Sequence, residues 1–140
     1  MTKEATTQSD LLLAVFKLVA KSGLFPETPL RKWPAVILFL HKKGYLFVGF
    51  EEEQPVLIAC AYRVKEVPKE YPENYPNKEE GNILYIPWMV SFAKDKLLPK
   101  RLMDRYMIRN PDIEKIALHN HGKDDKLKTF NRIKQEAHDG

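Results

Sequence analysis

The sequence predicts a single α+β domain, and three observations lead to that prediction. Two segments near the N-terminus have the apolar spacing of helices, two runs of strand-forming residues face each other across a short charged turn, and strands and helices then alternate toward the C-terminus. The 140 residues are enough for one domain and too few for two of ordinary size. We expect residues 1–140 to form that domain, with 1–8 as a disordered tail.

Two helices are expected before the first strand. The first covers 10–22, where apolar residues form a broad stripe at helical spacing, and Gly23 is suited to end it. The second covers 34–43 and begins at Pro34, whose missing N–H is tolerated in a first helical turn. It ends at two lysines, which suit the negative end of a helix dipole.

Three strands are expected next. Residues 45–50 and 55–64 are rich in strand formers and are separated by the charged turn 51–54, which predicts a hairpin. The third strand, 82–91, contains Pro87. Because proline cannot donate a ladder hydrogen bond, this residue predicts a bulge or a splay in the strand.

The remaining segments are a loop and three further elements. Residues 67–81 contain three prolines and no periodic pattern, so we expect a surface loop of a length that is often functional. A helix is expected at 99–109 and a fourth strand at 113–120. A final helix is expected at 125–137, with Leu127, Phe130 and Ile133 facing inward.

Composition narrows the classes of protein that the chain can belong to. The one cysteine, Cys60, lies in an apolar run and is expected to be a buried free thiol, so a disulfide scaffold is excluded. No apolar run approaches the roughly 20 residues of a membrane helix, and no signal-peptide pattern precedes the domain. The expected location is the cytoplasm, without membrane attachment.

The net charge of +4 is concentrated in the last third of the chain. Residues 94–140 hold 12 Lys and Arg against 8 Asp and Glu, whereas the two signs balance before residue 94. Such an excess suits the phosphates of a cofactor or of a nucleic acid, and it is also compatible with an ordinary solvated surface.

The order of elements over residues 10–137 resembles the acetyl-CoA-dependent N-acetyltransferase (GNAT) superfamily, of which the chain would be a divergent member. The resemblance implies a three-layer fold in which helices flank a mixed, mostly antiparallel central sheet. It also implies acetyl-CoA, or another acyl-CoA, as co-substrate. The acceptor would be a primary amine, either a small molecule or a protein, and a homodimer is one possible assembly.

By this resemblance, strand 82–91 and the segment after it bind the cofactor. The main chain of Trp88, Met89 and Val90 would contact the pantetheine arm. In the family a glycine-rich loop and a helix start then bind the pyrophosphate, but segment 91–101 contains no glycine. Cationic side chains could replace part of that contact, and the residues assigned to it are Lys94, Lys96, Leu98, Lys100 and Arg101.

The family's C-terminal motif is only partly present. If Phe130 is matched to the family phenylalanine, Asp124 takes the position of an asparagine and Asn131 that of the tyrosine that commonly protonates the leaving thiolate. Asparagine cannot donate a proton as a phenol does. Tyr85 and His119 are therefore the candidate catalytic residues, since both lie near the expected cleft.

Other assignments remain open at this point. His119 and His121 could suggest a metal, but without a cysteine or carboxylate pattern no metal site is expected. The first functional hypothesis is an acyl-CoA-dependent N-acyltransferase of weak or degenerate activity. The second is a non-catalytic binding protein of the same fold, such as a regulatory or phage-type accessory protein. A nucleic-acid binder is the third, and no recognised motif supports it.

Overall fold

The computed structural model describes residues 8–23, 29–69, 75–76, 79–119 and 127–131. Three α-helices and five β-strands occur in this part of the chain. In chain order they are α1 Gln8–Ser22, α2 Trp33–Lys43, β1 Leu46–Glu51, β2 Gln54–Val64, β3 Ile83–Ser91, α3 Leu98–Arg109, β4 Lys115–His119 and β5 Leu127–Asn131. A single 3₁₀ turn, Leu30–Lys32, leads into α2.

The five strands form one open sheet in the order β1-β2-β3-β4-β5. Neighbouring strands are antiparallel except β3 and β4, which are parallel. Parallel neighbours cannot be joined by a tight turn, and α3 supplies the long crossover that they require. The α+β class and the mixed, mostly antiparallel sheet are therefore confirmed.

Helices cover both faces of the sheet. Successive residues of a strand point to opposite faces, and β2 is buried on both. On one face Ile58, Cys60 and Tyr62 pack with the buried residues of α1 and α2, and on the other face Ala59 and Ala61 pack with α3. Burial on both faces explains why β2 reads as a nearly continuous apolar run rather than an alternating one.

Local chemistry determines most element boundaries, and the three helices expected at 10–22, 34–43 and 99–109 are confirmed to within two residues. At the end of α2, Gly44 has φ 79°, and its N–H is directed to the carbonyls of Leu40 and His41. Of the tail expected at 1–8, only Gln8 is described, and it belongs to α1. No described helix has the length and apolar character needed to cross a membrane.

The expected hairpin is present, and its turn is unusual. Glu52 and Glu53 have φ of 51° and 67°, so both central residues lie in the left-handed region. Two such residues match the twist of a two-residue hairpin, although asparagine and glycine are the usual choices. The turn places Glu51, the last residue of β1, beside the segment that leads into α3.

The expectation of a final helix at 125–137 is wrong for the described residues, because Leu127–Asn131 form β5. This strand pairs antiparallel with all five residues of β4. Without it, the main-chain groups on one edge of β4 would lack a ladder partner, which disfavours a helix at this position. Phe130 packs against the core as expected, on the side that α3 covers, whereas Leu127 is exposed and not inward. Ile133 lies outside the described residues.

The loop expected at 67–81 is described only in part, at 67–69, 75–76 and 79–81. Tyr75 is half-buried and packs against the core on the α1–α2 face. The segment therefore contributes an aromatic side chain to the core, which its sequence pattern did not indicate.

Candidate functional site: the end of the parallel β3–β4 pair

The parallel pairing of β3 with β4 is short. It joins four residues of each strand, Ile83–Ile86 with Lys115–Leu118. On the other edge of β3, Tyr85 pairs with Tyr62 and Trp88 with Cys60, so Ile86 and Pro87 together face the single residue Ala61. This is the β-bulge that Pro87 predicted.

Past the bulge, the main chain of Met89 is directed toward the β4 edge. Phe92 N–H donates to Val56 O at 2.7 Å, which marks the hydrogen-bonded pairs of the β2–β3 ladder. Because such pairs alternate along antiparallel strands, Val90 faces β2 and the N–H and C=O of Met89 face the opposite way. Met89 has a register partner in β2, Ala59, and none in the described part of β4.

The side chains next to Met89 are fixed in the core. Trp88 is fully buried, its indole N–H donates to Tyr75 Oη at 3.3 Å, and its ring meets Trp33 edge-on with centroids 5.7 Å apart. Val90 is also buried. Of the three residues assigned to the pantetheine, only Met89 directs its main chain away from β2, because Trp88 and Val90 belong to hydrogen-bonded pairs with β2. The side chains of Trp88 and Val90 pack in the core.

A carboxylate from the chain itself lies on the segment before α3. Glu51 accepts hydrogen bonds from the backbone N–H groups of Lys94 and Asp95, both at 2.9 Å. Asp95 in turn accepts from Leu97 N–H at 2.9 Å and pairs with Arg101. Several of the amides that would receive an anion are thus already bound to acidic side chains.

The basic side chains assigned to the cofactor surround this segment. Lys94, Lys96, Lys100 and Arg101 are exposed, and Leu98 is half-buried at the first position of α3. Lys100 is paired with Asp104 at 3.0 Å, and Arg101 is paired with Asp95. Lys94 and Lys96 have no ion pair with a described residue, so these two provide the uncompensated positive charge.

The two candidate catalytic residues are in contact with each other. The hydroxyl of Tyr85 on β3 lies 3.1 Å from His119 Nδ1 at the end of β4, within hydrogen-bond distance. Tyr85 is fully buried and His119 is 7% exposed. Burial, with a smaller effect of Cys60, raises the pKa of Tyr85 to about 12, so the hydroxyl remains protonated at neutral pH.

This contact restricts the proton chemistry that the pair can perform. A leaving thiolate with a pKa of about 8.5 is a weaker base than a phenolate with a pKa of about 12, so proton transfer from Tyr85 to it is unfavourable. His119 can accept a proton at Nε2 only if its Nδ1 carries the other proton and donates it to the Tyr85 oxygen. Tyr85 therefore orients the imidazole of His119 better than it serves as an acid.

Asn131 does not join this group. Asn131 pairs with Lys115, and Lys115 and His119 lie at opposite ends of β4. At 3.3 Å per residue, these two ends are roughly 13 Å apart. The motif match that assigned Asn131 to the cofactor placed it on a helix, whereas the structure places it on the strand β5. Asp124 and His121 lie outside the described residues.

Sequence reasoning missed Glu51, which it assigned to a charged turn. The contact joins residues 43 and 44 positions apart, and no local pattern signals it. It depends on β1 and β3 lying on the two sides of β2, which only the sheet order reveals.

Comparison with known proteins gives no family for this chain: no family model matches it, and no curated protein sequence is significantly similar. Within the described ranges, no group of three or more His, Cys, Asp and Glu side chains is arranged to hold a metal ion.

Proposed function

We propose that this protein is a divergent acyl-CoA-dependent N-acyltransferase of the GNAT type that transfers an acetyl group to a primary amine. The observation that carries the proposal is the β3–α3–β4 unit, whose parallel pairing ends after four residues at a bulge. An extended pantetheine arm can hydrogen-bond to main-chain groups directed like those of Met89, as another strand would. Lys94 and Lys96 supply positive charge for the cofactor phosphates.

In this reaction the amine nitrogen attacks the thioester carbonyl carbon. The carbon–sulfur bond breaks, the nitrogen loses a proton, and the thiolate of CoA takes one up. His119 is the candidate base, with Tyr85 as the residue that positions its ring through the 3.1 Å contact. The protein would accelerate the reaction mainly by holding amine and thioester together and by hydrogen-bonding the carbonyl oxygen.

Binding of the co-substrate tests the proposal directly. A ligand present at 100 times its Kd stabilises the folded state by about 2.7 kcal/mol, so millimolar acetyl-CoA should raise the Tm by several degrees. When a panel of primary amines is then added with acetyl-CoA, a thiol assay should detect the free CoA that the reaction releases. The proposal is contradicted if millimolar acetyl-CoA neither raises the Tm nor releases free thiol in the presence of amines.

The contact of Glu51 favours a second candidate, a non-catalytic binding protein of the same architecture. A carboxylate already holds the amides of Lys94 and Asp95, as a phosphate would in an acyltransferase. A bound acyl-CoA would have to displace Glu51 or bind beside it through lysine side chains alone. A protein that never binds the cofactor has no such conflict.

The variant Glu51→Ala separates these two candidates. If the carboxylate competes with the cofactor, its removal should tighten CoA binding about tenfold or more, because two charge-assisted hydrogen bonds no longer compete. Glu52→Ala, at an exposed residue of the same turn, is the matched control and should leave CoA affinity unchanged. If wild type and Glu51→Ala both fail to bind CoA, the non-catalytic candidate is favoured.

A further inference from the structure

A cavity lies on the α3 face of the sheet, beside the bulge. It has a volume of about 270 Å³, opens to the surface, and is lined by residues of α3, β1, β2 and β3. Small residues create the space, because two of the three β2 residues that line it, Ala59 and Ala61, are alanines and the third is Leu57. Larger side chains at these positions would fill the gap between the helix and the sheet.

The walls of the cavity are mostly apolar, and the polar side chains among them are Arg105, Arg109 and Tyr106, whose hydroxyl accepts from Arg63. Arg105 and Arg109 lie one turn apart on α3, both line the cavity, and both are exposed, so the cavity reaches the surface beside them. No aspartate or glutamate lines it. Neither guanidinium group forms a hydrogen bond or an ion pair with another described residue.

A third arginine, Arg63, contacts Tyr106 in the cavity wall. Arg63 is neutralised within the fold, because it pairs with Asp112 and donates to Asn110 Oδ1 at 2.9 Å. Arg105 and Arg109 have the same chemistry without such a described partner. A guanidinium beside an apolar chamber matches a ligand that has one carboxylate and a hydrophobic body.

We propose that this cavity, formed by Ala59, Ala61, Leu102 and Met103 with Arg105 and Arg109 at its rim, binds a small hydrophobic carboxylate. An apolar cavity of about 150 Å³ accommodates one benzene ring. The larger cavity here therefore suits a bicyclic aromatic acid or an aliphatic acid of similar volume. The apolar body would lie between Ala61 and Leu102, and the carboxylate would face the two guanidinium groups.

This site does not depend on the proposed acyl transfer. Ala61, Ile86 and Met89 belong to both regions, because they lie at or next to the bulge and also line the cavity. Acyl transfer would use main chain on the β4 edge of β3, whereas the carboxylate would occupy the space on the α3 face. CoA binding and carboxylate binding can thus fail separately.

Calorimetry with 2-naphthoate tests the proposal, and 2-naphthalenemethanol serves as the neutral ligand of the same size. We expect wild type to bind the acid more tightly than the alcohol. Arg105→Gln and Arg109→Gln should each weaken binding of the acid about tenfold and leave binding of the alcohol unchanged. Arg31→Gln, which makes the same charge change at an exposed residue before α2, should affect neither ligand.

The position of the ligand is tested by filling the cavity. Ala61→Leu should abolish binding of both ligands, and Leu102→Phe, which fills the cavity from the helix side, provides a second test if the first variant does not fold. Methyl resonances of Leu102 and Met103 should shift when 2-naphthoate is added to wild type. The proposal is overturned if neither ligand binds, if a folded filled variant binds as wild type does, or if Arg31→Gln weakens the acid as much as Arg105→Gln.

Discussion

Tyr85 and His119, the two candidate catalytic residues, differ in the proton chemistry that their surroundings allow. Both were candidates because of their positions near the expected cleft, and the sheet does bring them to 3.1 Å of each other. However, Tyr85 is fully buried and its raised pKa makes it a poor proton donor to a thiolate. In the proposed reaction, Tyr85 is therefore assigned to positioning the ring of His119, and His119 is the candidate base.

Tyr85→Phe should lower the free energy of unfolding by about 1–3 kcal/mol, because His119 Nδ1 then loses a hydrogen-bond partner in a buried site. Tyr106→Phe is the matched control. Its hydroxyl accepts a long 3.4 Å bond from Arg63, and Arg63 keeps Asp112 and Asn110 as partners. Urea unfolding of both variants gives the comparison. If both variants lose the same free energy of unfolding, the Tyr85–His119 contact stabilises the fold no more than the Tyr106–Arg63 contact does.

Among the elements, the strand β3 carries the irregularity on which the proposed function rests. Its bulge at Ile86 and Pro87 and the end of its parallel pairing occur together, so one proline accounts for both features. The approach to β3 is equally constrained. Gly81, two residues before the strand, has φ 110°, and an added Cβ would lie 2.1 Å from Val64 O.

Gly81→Ala should therefore destabilise the protein by roughly 2–4 kcal/mol, through backbone strain and a clash that requires the entry of β3 to move. Gly44→Ala is the control, because Gly44 also has a positive φ, 79°, but its added Cβ would meet no atom within 4 Å. That variant should lose only about 1–2 kcal/mol. Denaturant midpoints measure the difference, and a Gly81→Ala variant as stable as Gly44→Ala would contradict the assigned clash.

For the whole molecule, the thiol of Cys60 and the hydroxyls of three packed tyrosines make stability depend on alkaline pH. Burial raises the pKa of the Cys60 thiol above its ordinary value of 9.0 and the pKa of Tyr85 from 10.0 to about 12. It also raises the pKa of Tyr45 and Tyr75. In each case the folded state retains a proton that the unfolded chain releases at lower pH.

Stability should accordingly be independent of these groups below about pH 9 and should fall as the pH rises further. Since the unfolded state binds fewer protons than the folded state in this range, the free energy of unfolding decreases with pH. Cys60→Ala should remove the part of the decrease that begins near pH 9 and keep the part above pH 10. Thermal unfolding between pH 7 and 11 measures this. A flat profile in wild type would contradict it.

Much of the architecture follows from local patterns. Apolar spacing and boundary residues such as Pro34 and Gly44 locate the three helices, and strand-forming runs locate the first four strands. Pro87 marks the bulge because a missing N–H has the same effect in any sheet. These features depend on neighbours within a few positions, and such information is present in the chain itself.

The remaining features depend on contacts between distant residues. Leu127–Asn131 form a strand because the edge of β4 needs a partner, although their apolar spacing also fits a helix. Glu51 reaches the amides before α3 because β1 and β3 both pair with β2. This pairing brings the end of β1 close to the segment that follows β3. Local propensity differs by only about 1 kcal/mol per residue between alternatives, so ladder pairing and burial outweigh it. For this reason the helices and most strands could be read from the amino acids, whereas β5, the Glu51 contact and the cavity beneath α3 emerged only from the folded arrangement.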